Sequence, residues 1–487
     1  MTMKIPRKTL AVSMTLLLGG CMVGPDYHRP QVSVPIQYKE LPGWTAAAPA
    51  EEAPKGDWWT GFNDPLLDQL EPMVSVSNQT VRADYANYQA ALAEVQVARS
   101  ALFPTIGITG DVARNRIATT NASNAGSSSA HIRPLTSVGS LEGNASWAPD
   151  LWGKVRRTIE ENKATAQASE ATLANATLSE QTALATAVID LRVTDANIDL
   201  LQKTVAADQE SLRVVSNQDK AGTIAPSDVI TARTQLENAR SSLIALGVAR
   251  AQDAHAIAVL VGKNPEELDI PHSTNLPTLP SVPSGVPSTL LQRRPDVAIA
   301  ERQMAAQNAA IGIAIAAYYP NLSLTGSDGF SQSPLAGLLH IANHVWSLGA
   351  SATETLFDAG ARHGDVEAAR ATYDAAVANY RGTVLSAFRN VEDDLAGSTI
   401  LAQQAEVLDA AVHDANRGAE IAFNEYQAGT VDYTTVATAQ TTQLSTQQTA
   451  LNVQQQRLLN AVSLIGDLGG GWSASELGDA KQATAKR

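Results

Sequence analysis

Residues 156–218 contain neither proline nor glycine. Within them Leu184, Leu191, Ile198, Val205 and Leu212 recur every seven residues, with Val188 on the same seam. A seven-residue apolar period is the spacing of a helix packed lengthwise on another helix. At 1.5 Å per residue the run would form a single helix roughly 90 Å long. A compact enzyme domain has little use for such a rod; the blander alternative is an ordinary helical bundle. A second stretch repeats the pattern. Tyr373, Val377, Tyr380, Val384, Ala387 and Val391 alternate steps of four and three.

Other phrases are also written twice. "ALFPTIGITG" (101–110) returns as "AYYPNLSLTG" (317–326), with Pro104 and Pro320 216 positions apart. "DLWGKVR" (150–156) pairs loosely with "LFDAGAR" (356–362). "KAGTIAPSDV" (220–229) and "QAGTVDYTTV" (427–436) share Ala-Gly-Thr at an offset of 207. The order in both halves is helix, phrase, hairpin, long helix, turn, helix, which reads as one duplicated unit. The repeats are placed at 60–265 and 290–470. The Pro- and Ser-rich stretch 266–290 reads as a linker, 21–60 as an N-terminal linker and 471–487 as a tail.

After each proline the residues alternate. Ile106, Ile108 and Val112 fall on one face, Thr105, Thr109 and Asp111 on the other. Leu322 and Leu324 alternate with Asn321, Ser323 and Thr325. Leu141, Ala145 and Trp147, then Trp346, Leu348 and Ala350, continue the pattern before each long helix. Strands of about ten residues with one apolar face are the signature of a transmembrane β-barrel. The hairpins are expected at about 104–150 and 320–357. All seven tryptophans avoid the long helices, and Trp147, Trp152 and Trp346 flank or occupy the strands, as an interfacial girdle requires. Proline ends each preceding helix, because the residue before it is pushed out of the α region. Four strands cannot close a barrel, and open edges cannot face lipid. The barrel must be shared, with eight, twelve or sixteen strands for two, three or four chains.

Beyond the signal peptide no stretch has 18 consecutive apolar residues, so a membrane span would be made of strands. The chain is 44% apolar but only 5% aromatic, which suits thin helix–helix seams better than a thick core. A net charge of −14 without a basic cluster argues against nucleic acid as a partner. Cys21 is the one cysteine, which excludes an internal disulfide and a cysteine metal site. It follows a basic start (Lys4, Arg7, Lys8), the apolar run Leu10 to Leu18, and Gly19-Gly20. Residues 1–20 read as a signal peptide. Leu18-Gly19-Gly20-Cys21 resembles a bacterial lipobox, so Cys21 is expected to carry diacylglycerol and an N-acyl chain. Met22 after it resembles the outer-membrane form of that signal.

"CMVGPDYHRP" (21–30), "DWWTGFNDPLLDQL" (57–70), "LLQRRPDVAIAE" (290–301), "LFDAG" (356–360) and "DLGGGW" (467–472) resemble signatures of outer-membrane efflux lipoproteins. These belong to the TolC-like outer membrane factor superfamily, in its NodT or OprM-like branch. The resemblance implies a mixed α/β membrane protein: a homotrimer with a 12-stranded transmembrane β-barrel, four strands per chain, continued by a long periplasmic α-helical barrel. It implies the exit duct of a tripartite efflux pump in the outer membrane of a Gram-negative bacterium. The duct would export small molecules such as drugs, beside a periplasmic adaptor and an inner-membrane transporter of the RND type. No cofactor is expected beyond the lipid, and the lipid partners are those of the outer membrane.

In such proteins the Ala-Gly-Thr turns, with Gly222 and Gly429, form a periplasmic tip that must open. Carried over by position, the gate residues are Ser227, Asp228, Tyr426, Thr435, Thr438 and Thr441. Family members often have Asp at the place of Thr438 and Arg at that of Thr441. Asp228 is then the clearest remaining charge, and the expected gate closes by hydrogen bonds and packing, with weak cation preference. The alternative role for Asp228 is an acid favoured by a helix N-terminus.

Other chemistry finds no support. His340 and His344 are four apart in "HIANH", without the Glu of a zinc-protease helix or a third ligand. Gly469-Gly470-Gly471 lacks a following Lys-Ser/Thr, and no Gly-x-Ser-x-Gly elbow occurs. An enzyme is not expected. The alternatives kept are the exit duct of a type I protein secretion system and a lipid-tethered periplasmic coiled coil.

Overall fold

The computed structural model describes residues 22–32, 38–39, 57–116, 135–281 and 293–477. Its helices are α1 (Pro65–Ser77), α2 (Gln79–Ser100), α3 (Lys154–Lys220), α4 (Pro226–Leu260), α5 (Pro295–Ala316), α6 (Ala361–Gln427) and α7 (Tyr433–Asp467). Its strands are β1 (Thr105–Arg116), β2 (Leu135–Trp147), β3 (Asn321–Gln332) and β4 (His344–Thr353).

The duplication is visible in helix lengths. α3 and α6 have 67 residues each, α4 and α7 have 35, and α2 and α5 have 22. Elements before the hairpins are offset by 216 and those after by 207, so the second hairpin is nine residues shorter. The compact units nevertheless cut across the repeats. Among the described residues, one unit takes those within 22–30, 90–166 and 302–378, and the other takes those within 31–89, 167–301 and 379–477. Each repeat contributes to both units, and α3 and α6 supply residues to both.

In the first unit the four strands form one antiparallel sheet, ordered β1-β2-β3-β4. The proline phrases are held where helix gives way to strand. Trp147 Nε1 donates to Leu102 O (3.0 Å), and Trp152 Nε1 donates to Pro320 O (2.8 Å) while stacking on Tyr319 at 4.8 Å. The loosely paired phrases before the long helices share one device. Asp150 accepts the backbone N–H groups of Val155 and Arg156, and Asp358 those of Gly360 and Arg362. Each acid also takes an arginine from the following helix, Arg156 at 3.2 Å and Arg362 at 2.6 Å. A carboxylate at a helix start satisfies orphan N–H groups and the dipole together.

The second unit has an apolar core where α1, α3, α4 and α7 pack: Leu67, Leu70, Val74, Leu184, Val188, Leu191, Ile257, Leu458 and Val462. Each fully buried Leu or Ile contributes roughly 1.5–3 kcal/mol. The expected seam of α3 holds at Leu184, Val188 and Leu191, which are 0% exposed. Farther along it departs from expectation. Ile198, Val205 and Leu212 are half-buried, and the buried line is Leu201, Asp208 and Val215. These three also recur every seven residues, three positions after Ile198, Val205 and Leu212 and out of step with Val188, so the buried face changes along the helix. In α6 the seam Tyr380, Val384, Ala387 and Val391 is buried as expected.

Polar groups also bind this unit. Asp64 caps α1 and pairs with buried Arg192 at 2.8 Å. Asp195, 0% exposed, accepts from Arg250 Nε (2.7 Å) and from the backbone of Ser273 (3.0 Å), with His272 Nδ1 at 2.9 Å. The linker thus has a fixed starting path, 268–281 without regular structure, held to α3 and α4 by one carboxylate. α4 is apolar and long enough to cross a membrane by length and composition. Two of its charges are committed to α3, however, Arg250 to Asp195 and Asp253 to Thr194 Oγ1 (3.2 Å), and Arg240 pairs with Glu237 on its exposed surface.

Candidate functional site

Two places carry the chemistry, the sheet and the pair of Ala-Gly-Thr turns. Strand register sorts the sheet into faces. Ile106, Ile108 and Val112 of β1 lie opposite Ala145, Gly143 and Gly139 of β2; Leu141 and Trp147 lie opposite Phe330 and Leu324 of β3; Gly326 faces Leu348 of β4. This row points to solvent although it is apolar: Ile108 and Leu348 are each 81% exposed. The opposite face carries hydroxyls and amides bonded to each other. Thr105 meets Ser146 (2.8 Å), Asn144 donates to Thr109 (3.0 Å), and Ser327 meets Ser347 (2.9 Å). An apolar face left in water would be a liability, whereas in lipid it is the stable arrangement. One acid breaks the row: Asp328 stands opposite Trp346 and accepts a contact from His344 Nε2 at 2.8 Å. His344 therefore has a partner within the sheet, and no group of three or more metal-binding side chains occurs among the described residues.

The turns between α3 and α4 and between α6 and α7 are built alike. Gly222 (φ +70°) and Gly429 (φ +77°) take the left-handed conformation that favours glycine. Thr223 N and Oγ1 both donate to Gln218 O (3.0 and 2.9 Å), and Thr430 N and Oγ1 both donate to Glu425 O (3.0 and 2.9 Å). This is a Schellman C-cap with a threonine hydroxyl added. The repeated spelling Ala-Gly-Thr encodes a helix stop, written twice.

Tyr426, Tyr433, Val215, Ala232 and Val436 form a buried cluster that joins the two turns within one chain. Tyr426 donates its hydroxyl to Gln218 Oε1 and meets Tyr433 edge-on at 5.5 Å. Burial, and secondarily Asp228, push the Tyr426 phenol up. Tyr426 is 4% exposed, so in this structure it is part of the packing that unites the turns.

The other position-derived residues are dispersed. Ser227 is exposed, and its carbonyl accepts from Thr231 Oγ1. Asp228 is half-buried in the first turn of α4. Thr435 donates both its N–H and its hydroxyl to Asp432 Oδ1 (3.1 and 3.0 Å), so it helps to start α7. Thr438 and Thr441 return their hydroxyls to Thr434 O and Ala437 O of their own helix (2.8 Å each) and line a groove beside α4. Asp432 is a charge the sequence reading passed over. It is exposed, caps α7, and is held below the usual carboxylate range first by Thr434 and then by Thr435. The signal was legible as Asp-x-x-Thr before an apolar-periodic run. Asp228 is accordingly not the lone acid at the turns, where Asp219, Glu425 and Asp432 also stand.

The lipobox, Leu18 to Cys21, lies outside the described residues, which begin at Met22. Residues just after it are firmly placed. Val23 N donates to Trp152 O (3.1 Å), and Arg157, 1% exposed, donates to Val23 O (3.1 Å), Gly24 O (3.1 Å) and Asp26 (2.9 Å).

A sheet with a lipid-type face and a hydroxyl face, in a chain of paired 67- and 35-residue helices, defines the subunit of an outer-membrane channel. The family model described as outer membrane efflux protein matches residues 72–263 and 286–470. The chain is 30% identical over 470 residues to the probable efflux pump outer membrane protein TtgC of Pseudomonas putida, covering 96% of each. It is 28% identical over 467 residues to the outer membrane protein OprJ of Pseudomonas aeruginosa, covering 95% of each. Its fold matches that of the outer-membrane channel OprN with a TM-score of 0.82 at 27% identity, over 93% of this chain and 100% of that one. The CmeC channel of Campylobacter jejuni superposes with a TM-score of 0.87 at 23% identity, over 96% and 98%. This chain belongs to the outer membrane efflux protein family. It is an efflux channel protein of the outer membrane with the TolC-like fold, and not an enzyme.

Proposed function

We propose that three copies of this chain close a 12-stranded barrel and form the exit duct of a tripartite pump. The duct exports small molecules such as drugs and works with a periplasmic adaptor and an RND-type transporter of the inner membrane. The observation that carries this is the sheet itself. Its outer strands β1 and β4 have no further partner among the described residues and run in opposite directions. β4 of one copy can therefore pair antiparallel with β1 of the next, and a lipid-facing sheet must end its edges in this way. The relatives' names, which include antibiotic and toluene efflux pumps, support small organic cargo.

Electron microscopy of the detergent-purified protein tests the assembly. A threefold tapered tube is expected; a monomer or a rod without a barrel would overturn it. Deleting the gene should raise intracellular accumulation of exported dyes, and unchanged accumulation would remove the drug assignment.

Cys21 is the proposed site of the diacylglycerol and N-acyl chains. Strapping of the adjacent residues to Trp152 and Arg157 supports an anchor beside the strand–helix junction. Palmitate labelling should vanish in Cys21→Ser, and persisting label would refute the site. Ser227, Asp228, Tyr426, Thr435, Thr438 and Thr441 are proposed to border the entrance at the turns. Single-channel recording of Asp228→Ala should show reduced cation preference. Unchanged preference and conductance would remove Asp228 from the gate.

A further inference from the structure

Helices α3, α4 and α7 meet near the two turns around a carboxylate that has no counter-charge among the described residues. Asp208 stands on α3 and is 2% exposed. Gln235 of α4 donates Nε2 to its Oδ1 (3.0 Å), and the same amide reaches Gln440 Oε1 of α7 (3.0 Å). Gln440 Nε2 in turn reaches Ser211 Oγ of α3 at 3.3 Å. One polar chain so ties three helices. The second carboxylate oxygen, Oδ2, is buried with no hydrogen-bond partner among the described residues.

The titratable groups that face this point supply no cation. They are Tyr433 of α7, whose phenol is pushed up to about 12 by burial and then by Asp208; Tyr426 of α6, against the Tyr433 ring; and, beside Tyr426, Asp228 of α4. Lys203 and Arg213, on the same helix as Asp208, are committed to the exposed pairs with Asp199 and Glu210. The adjoining groove, about 660 Å³, is lined by Thr204, Thr231, Asn238 and Ser242 among others, and by no lysine, arginine or histidine. An ionised carboxylate with one hydrogen bond and no positive neighbour is costly to bury, and a proton removes the cost. Burial pushes the Asp208 carboxyl from 3.8 up to about 6, against a smaller pull downward from Gln235.

We propose that Asp208 is a proton-operated latch at the entrance of the duct: protonated, it lets α3, α4 and α7 pack together near the turns, and ionised, it drives them apart. The latch goes beyond the gate residues proposed above and rests on the reading of the turns as the entrance. Its sign follows from linkage. The packed state holds the proton more tightly than a separated, hydrated state does. Packing is therefore favoured on the acid side and loses stability as the pH rises from about 4 through about 6. If the separated state titrates at the ordinary 3.8, the packed-to-separated ratio changes by on the order of a hundred-fold across that range.

The test is hydrogen–deuterium exchange of residues 204–240 and 433–445 in the purified full-length protein, with conductance in planar bilayers, at about pH 5 and about pH 7.5. Wild type is compared with Asp208→Asn at each pH, so that intrinsic exchange rates cancel. Asp208→Ala serves as a second neutral variant should the first fold poorly. The expected result is exchange on the order of a hundred-fold faster in wild type than in the neutral variants at the higher pH, the gap narrowing about ten-fold at the lower one. Wild-type conductance should fall on acidification, and the variants should remain at the acid level throughout. A wild type that exchanges like the variants at both pH values, or variants that keep the wild-type pH response of conductance, would overturn the latch while leaving a conducting channel in place. Exchange that behaves as expected in a protein forming no pore would uphold the proton-dependent packing but overturn its role at an entrance.

Discussion

The two repeats differ less in geometry than in chemistry. With the offset of 207, Leu184 corresponds to Val391 and Val188 to Leu395, and all four are buried. Gly222 corresponds to Gly429 and Thr223 to Thr430, and both pairs make the same cap. The polar residues do not correspond. Asp195, which holds the linker, is matched by Ala402; Asp208 is matched by Ala415; and Asp432, which caps α7, is matched by Ala225 at the start of α4. Helix length, seam and stop were kept in both copies, as was the acid that starts each long helix, Asp150 and Asp358, while these three acids stand in one copy only. Skeleton residues are fixed by periodicity, which every copy needs in order to pack. A buried acid is tolerated only where a particular neighbour meets it.

This asymmetry can be tested from its largest consequence downward. Asp195→Ala installs the residue of the second repeat and strips Arg250 and the linker of their shared partner. It should cost about 3–5 kcal/mol in unfolding experiments in detergent. The reverse change on the exposed surface, Ala402→Asp, should stay within about 0.5 kcal/mol. Comparable losses would mean that the repeats are chemically equivalent after all.

The two hairpins of the sheet should behave symmetrically instead. Ile108→Arg and its counterpart Leu324→Arg each place a charge on the apolar row and should cost about 2–4 kcal/mol, read as loss of the heat-modifiable form on gels. A loss in only one of them would show that only one hairpin faces lipid.

At the turns, Gly222→Val and Gly429→Val should each destabilise by about 1–2 kcal/mol, since both demand positive φ. Nothing lies within 4 Å of an added Cβ at either position, so the effect is one of backbone conformation and should be equal in the two. The smallest effect is a gain. Ala225→Asp would give α4 the cap it lacks, in the Asp-Pro order that Asp64-Pro65 already uses at α1. Slower amide exchange in the first turn of α4 should report about 0.5–1 kcal/mol, and no change would show that Pro226 alone suffices there.

Much of this was written in the sequence because its signals are local or periodic. The seven-residue period gave the long helices, the alternation after Pro104 and Pro320 gave the strands, and Ala-Gly-Thr gave the stops. Asp432 was equally legible, because its capping pattern, an acid three residues before Thr435, is local. The residues proposed for the entrance were legible only as positions. Tyr426 proved to be packed within one chain, and Thr435 proved to be a cap.

The sequence by itself determined the element types, the repeat, the strand faces and the need to share a barrel. Each follows from local backbone sterics, from the period of the apolar residues, or from the rule that strand edges cannot stay unpaired in lipid. Only the tertiary structure decided that the compact units cut across the repeats, that the buried line of α3 runs through Asp208, and that Asp195 holds the linker. Those facts depend on which helices meet at one point. A carboxylate reads the same in sequence whether it meets an arginine, water or nothing, and its neighbours lie tens to hundreds of residues away.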